Sequence, residues 1–240
     1  MDAEDRLALM HALIAAEPAP IGLLGTARSL SQVCRVATRS LGVSGATISV
    51  TTSDGPSAIA AAADESSAEI AEVQFTLGEG PGRDAFESRS PVHAGDLRHD
   101  ARWPGYRSAM SERGVSAVFA FPLVMGPTRL GVLDLFRDEP GLLMAADVAR
   151  AREFAALAAG ILLLDGQVAA DGQAQPISQS ALESRLEIYQ AQGMLTVQLD
   201  LELPEALARL RGHAYANDRT LSDVARDVIS RKLSMERDNR

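Results

Sequence analysis

The stretch Val115 to Arg137, "VSAVFAFPLVM", a "GPT" turn and "RLGVLDLFR", constrains the fold more than any other part of the chain. Two runs rich in β-branched and aromatic residues joined by a tight turn predict an antiparallel hairpin. Such a hairpin needs further strands or helices to cover it. "GATISVTTSDG" supplies another strand, ending in the turn signal Asp54-Gly55; "SAIAAAADES" and "AEIAEVQFTL" are weaker strand candidates, and "SPVHAGDL" is a short one. Helical spacing marks "EDRLALMHALIA", with Leu7, Met10 and Ile14 on one stripe and Leu9 and Leu13 on another, and "ARSLSQVCRVATRSL", stopped by Gly42. "GEGPGRDAFES" reads as a loop feeding a helix, "RWPGYRSAMSERG" as a helix, and "AADVARAREFAALAAGILLL" as a long one. Helices outside a hairpin-connected antiparallel sheet describe an α+β sandwich over residues 1–165.

At 240 residues the chain has room for a second, small unit. "DGQVAADGQAQPISQS" lacks apolar periodicity, which places a linker at 166–179 and a C-terminal domain at 180–240. Three helices follow. The first carries Leu182, Leu186 and Tyr189 on one stripe and Ile188, Ala191, Leu195 and Leu199 on another, so both flanks are expected to pack. The second begins near Pro204, and the third after Thr220, which can cap it with Asp223 answering. Gly193 stands inside the first helix, where glycine costs about 0.5 to 1 kcal/mol relative to alanine. Either a second helix or a ligand must approach its backbone closely.

Charge and composition narrow the chemistry. Net charge is −9, but residues 178–240 carry nine basic and ten acidic residues, so the tail is near neutral while the first 177 hold −8. A whole-protein nucleic-acid coat is thereby excluded. Arginine far exceeds the single lysine, Lys232, a bias suggesting a GC-rich, bacterial genome. No apolar run reaches about 18 residues and the amino terminus is acidic, which predicts a cytoplasmic protein without a membrane span. Cys34 alone cannot form an internal disulfide and reads as a core thiol. His93 and His99 with Asp96 and Asp100 have no helical or zinc-like spacing, and no "GxSxG" nucleophile motif occurs, so no metal, cofactor or catalytic residue is expected. "GEGPG" with Arg83 fits either an anion site at a helix start or a tight turn, the turn being favoured. Trp103, Tyr106, Phe119 and Phe121 could line a ligand cavity, though such residues more often build core.

The tail resembles the ANTAR domain, the RNA-binding antitermination module of bacterial regulators. The likeness runs from about Ser180 to Leu233 through Arg185, Ile188, "QAQG" at Gln190 to Gly193, "EALARLR" at Glu205 to Arg211, Ala214 and "LSDVA" at Leu221 to Ala225. The family commonly has lysine where Gln192 stands. The first 165 residues are similar to the GAF domain found ahead of ANTAR in actinobacterial regulators, through "LGEGPGRDAFESRSPV", "DLRHDARWP" and "FAFPLVMGPTRLGVLDLFR". This likeness implies a non-enzymatic regulator whose tail stabilises tandem hairpins in a nascent leader mRNA and so prevents transcription termination. It also implies a homodimer, since two loops need two tails, with a small-molecule or protein signal at the GAF domain. Arg185, Gln190, Gln192, Gly193, Arg209, Arg211 and Arg219 are the expected RNA contacts. The alternative is a GAF ligand- or protein-binding module with a DNA-binding or degenerate helical tail.

Overall fold

The structure is a computed structural model, and it describes residues 3–18, 22–23, 25–50, 58–170 and 179–235. A five-stranded antiparallel sheet runs in the order β2-β1-β5-β4-β3, formed by β1 (Gly45–Val50), β2 (Ala58–Ala62), β3 (Val92–Ala94), β4 (Ala117–Met125) and β5 (Thr128–Arg137). The predicted hairpin is the β4–β5 pair, in register from Ala117 opposite Arg137 to Met125 opposite Thr128. It places β5 in the middle of the sheet. The Asp54-Gly55 turn lies outside the described residues.

One face of the sheet is largely apolar. Ala46 and Ile48 of β1, Phe119 and Phe121 of β4, and Leu133 and Leu135 of β5 pack there against α2 (Gly25–Leu41) and α6 (Ala145–Ala170). On α1 (Ala3–Ala16), Met10 and Ile14 join this core while Leu9 and Leu13 stay exposed. Cys34 is buried there, and burial pushes its thiol well above the usual range. The opposite face carries α3 (Glu65–Leu77), α4 (Pro81–Ser88) and α5 (Pro104–Glu112), with Trp103, Tyr106, Met110, Val118 and Phe136 as its core.

"AEIAEVQFTL" forms α3, a helix and not the weak strand expected. Val73, Phe75 and Leu77 alternate like a strand, but the ends decide the outcome. The Asp64 carboxylate accepts from Ser67 N at 2.8 Å as an N-cap. Gly78, at φ +70°, closes the helix in the left-handed conformation. The long helix α6 also runs past residue 165 to Ala170, into the expected linker.

The C-terminal part is a bundle of α7 (Gln179–Leu199), α8 (Leu203–Ala216) and α9 (Leu221–Ile229). Ile188, Ala191, Leu195 and Leu199 meet Ala206, Leu210, Ala214, Leu221, Val224 and Val228 in its core. The expected second stripe of α7 does not pack at Leu186 and Tyr189, which are exposed, and the side chain of Leu182 lies outside the described residues. Thr220 Oγ1 accepts from Asp223 N at 3.1 Å and caps α9.

Candidate nucleic-acid interface

Gly193 has no atom within 4 Å of the place a Cβ would occupy, so no helix presses on it. Its side of α7 is open. Gln190, Gly193, Met194 and Val197 follow one helical face and, with Arg231 and Leu233 beyond α9, line a groove of about 670 Å³. Val197 is 86% exposed at its rim, an unusual position for a β-branched apolar residue. A groove with an apolar floor, amides at one edge and a guanidinium at the other suits a base splayed out of an RNA loop.

A second groove on the α8 side is lined by Leu201, Glu205, Arg209, Gly212, His213 and Met235. The segment around Ser234 separates the two. Gln198 holds it, donating from Nε2 to Ser234 Oγ and Met235 O, both at 3.0 Å.

The other expected contacts do not converge here. Gln192 is buried, its Nε2 donating to Leu203 O at 2.7 Å, so it ties α7 to the start of α8. Arg219 pairs with Asp227 at 2.7 Å and braces the turn between α8 and α9. Arg211 points the other way, toward the sheet domain: a Cβ on Gly78 would stand 2.6 Å from its Cζ. Arg185 is on α7, but its side chain lies outside the described residues. Gln190 and Gly193 share the first groove and Arg209 lines the second. Sequence reasoning missed Val197 and Arg231 as lining residues. The spacing 190, 193, 197 is itself a helical stripe and could have revealed the first.

In the sheet domain the four aromatic candidates do not line one cavity. Trp103 and Tyr106 belong to the core under α3 and α5, whereas Phe119 and Phe121 lie on the opposite face of the sheet. The "GEGPG" loop is a tied turn: Gly82 N donates to Gln74 Oε1 at 2.8 Å, and Tyr106 N donates to Glu79 Oε1 at 2.9 Å. Arg83 donates to Gly78 O at 2.7 Å and pairs with Glu87 at 2.8 Å. An anion at Gly82 would also meet Asp134, whose carboxylate oxygens lie 2.9 Å from where a Cβ on that glycine would stand. Among the described residues no group of His, Cys, Asp and Glu is placed to hold a metal. His99 is exposed beside Asp96, while His93 packs against Phe119 and Phe121.

Asp134 is the polar residue that sequence reasoning did not single out. It is buried in the central strand opposite Thr47, with Gln74 Nε2 donating to it at 3.3 Å. Burial raises its carboxyl to about 7, and its charge adds to the burial that raises the Tyr106 phenol. Neither Asp134 Oδ1 nor Thr47 Oγ1 has a partner among the described residues. An acid in the middle of the apolar run "LGVLDLF" was the available signal.

The family comparisons agree with this two-part architecture. The GAF domain family model matches residues 28–191 and the ANTAR domain model residues 178–229. The sheet domain is similar to the GAF domain of a phosphoenolpyruvate-protein phosphotransferase from Acinetobacter, at 13% identity and TM-score 0.54, over 71% of this chain and 99% of that one. It is equally similar to the corresponding GAF domain from Coxiella burnetii, at 15% identity and TM-score 0.54, over 70% and 95%. No curated protein matches the chain. The sheet therefore defines a sensory module of the GAF class. With the helical bundle behind it, the chain belongs to the GAF family as a GAF–ANTAR regulator, an RNA-binding protein joined to a sensor. Among the described residues no helix is long and apolar enough to cross a membrane.

Proposed function

We propose that this protein is a non-enzymatic, cytoplasmic antiterminator that binds tandem hairpin loops in nascent leader mRNA. It stabilises them against the overlapping terminator hairpin. The observation that carries the reading is the open groove around Gly193 in an ANTAR bundle. The effect on transcription is a population shift: the protein must favour one RNA fold over the other, because equal affinity for both would change nothing. Two loops require two bundles, hence a homodimer, and α1 and α6 would build it, with Leu9, Leu13 and Leu164 exposed on them. The near-neutral tail argues against duplex DNA, where phosphate neutralisation dominates affinity. Fluorescence anisotropy tests the reading: a labelled two-hairpin RNA should bind more tightly than its scrambled counterpart and than duplex DNA of equal length. Equal binding to all three would overturn it.

A further inference from the structure

The ANTAR bundle does not hang free of the GAF domain. Its α8 and α9 rest on α3, and Phe75 of α3 packs against the bundle core. Arg211 of α8 lies over Gly78, the residue that ends α3. The left-handed backbone at Gly78 favours glycine, and a Cβ there would stand 2.5 Å from an Arg211 nitrogen, so the guanidinium would have to shift.

The apolar contact is good, yet the charges in the interface are mismatched. Arg211 is half-buried, its Nε shielded from water without a hydrogen-bond partner among the described residues. The charge that reaches it is Arg83, which donates to the carbonyl of the same Gly78. Burial first, and Arg83 second, depress the Arg211 guanidinium to about 10. On α3, Glu72 has its Oε2 buried and without a partner among the described residues; burial, and then the Asp223 carboxylate of α9, push it up to about 7. A buried cation beside a cation and a buried anion beside an anion both oppose docking, since an uncompensated buried charge is costly. An interface meant only to be stable would pair them.

We propose that the seating of α8 and α9 on α3 is a self-inhibitory latch, held by Phe75 and weakened by its mismatched charges, which withholds the Arg211 side of α8 from RNA until RNA or a signal in the GAF domain opens it. The proposal rests on the RNA-binding reading above. Phosphate would give Arg211 the anionic partner it lacks when docked, so RNA binding and docking compete for one side chain. The signal route is at hand: Gln74, one residue before Phe75, donates to the buried Asp134 and accepts from Gly82 N. Any rearrangement around Asp134 therefore moves the helix on which the bundle sits.

Full-length protein with Phe75→Ser or Arg83→Glu tests the latch by amide hydrogen exchange and by anisotropy with the two-hairpin RNA. Phe75→Ser should speed exchange in α3 and α8, leave β4 and β5 protected, and tighten RNA binding on the order of tenfold, within the usual range of coupling between sites. Arg83→Glu gives Arg211 an acidic neighbour in place of a basic one, so it should slow exchange in α8 and weaken RNA binding several-fold. Unchanged exchange in both variants, or altered exchange with RNA affinity unmoved in proteins that bind, would overturn the latch while leaving RNA recognition standing. Exchange that shifts as expected in proteins that bind no RNA at all would instead remove the RNA reading, and the latch with it.

Discussion

The sheet of the GAF domain buries polar groups, whereas the α7 groove of the ANTAR bundle exposes apolar ones. Asp134 and Thr47 lie buried beneath α3 and α4, each with one oxygen that lacks a partner among the described residues. In the bundle, Val197 and the backbone of Gly193 stand open along one groove. Each departs from the usual distribution of residues, in opposite directions. A sensor must convert a small internal change into a movement of its own helices, so a strained interior is useful to it. A reader of RNA loops must offer a surface, so its cost is paid in exposed apolar area.

The strongest way to separate the two regions is to damage one core. Leu195→Ala should destabilise the bundle by about 2 to 5 kcal/mol, as large-to-small core changes do. The single tryptophan, Trp103, is buried in the GAF domain with its Nε1 donating to Asp84 at 3.0 Å, and so reports on that domain alone. Denaturation followed by far-ultraviolet circular dichroism should show an early helical loss, while the tryptophan transition stays nearly in place. A common shift of both would mean that the two regions unfold as one.

The second comparison concerns the buried acid. Its carboxyl is raised to about 7 in the fold and titrates near 3.8 when unfolded. Between those values the native state holds the extra proton, so its contribution is complete below about pH 4 and is lost as pH rises to 7. Asp134→Asn should therefore be more stable than the parent above pH 7, by a few kcal/mol at most, with the gap shrinking toward pH 4. Glu72, raised in the same direction, titrates equally in both proteins and cancels in the difference. A gap that does not depend on pH would mean that Asp134 is ionised in the fold.

A smaller effect is expected at Gly193. Nothing occupies the space beside it, so Gly193→Ala should stabilise α7 by about 0.5 to 1 kcal/mol through helix propensity alone. Thermal unfolding of the bundle would show it. If alanine destabilises instead, the groove is filled by something in the native protein.

Much of this was legible in the residues, because local signals and tertiary packing agree there. The β4–β5 hairpin, the Gly42 stop, the Thr220 cap and the α7 stripe from Ile188 to Leu199 all appear where periodicity and capping put them. The α3 helix was misread because its last turn alternates like a strand, and the deciding Asp64 cap is a single hydrogen bond. The site was legible only in part. Gln190 and Gly193 share a groove, but arginines in a matched segment carry no information about the direction in which the chain turns them. Arg211 faces Gly78, a contact set by the meeting of distant elements, and Arg219 turns back on Asp227 of the helix that follows it.

Val197 offers the most direct test of the central claim that the α7 groove is the RNA-binding surface. It is too exposed for Val197→Glu to disturb the core, yet a carboxylate there would stand where a base or phosphate must come. In anisotropy with the two-hairpin RNA, and with circular dichroism confirming the fold, the variant should lose at least about tenfold in affinity, roughly 1.4 kcal/mol. A folded Val197→Glu protein that binds the RNA as tightly as the parent would contradict the account.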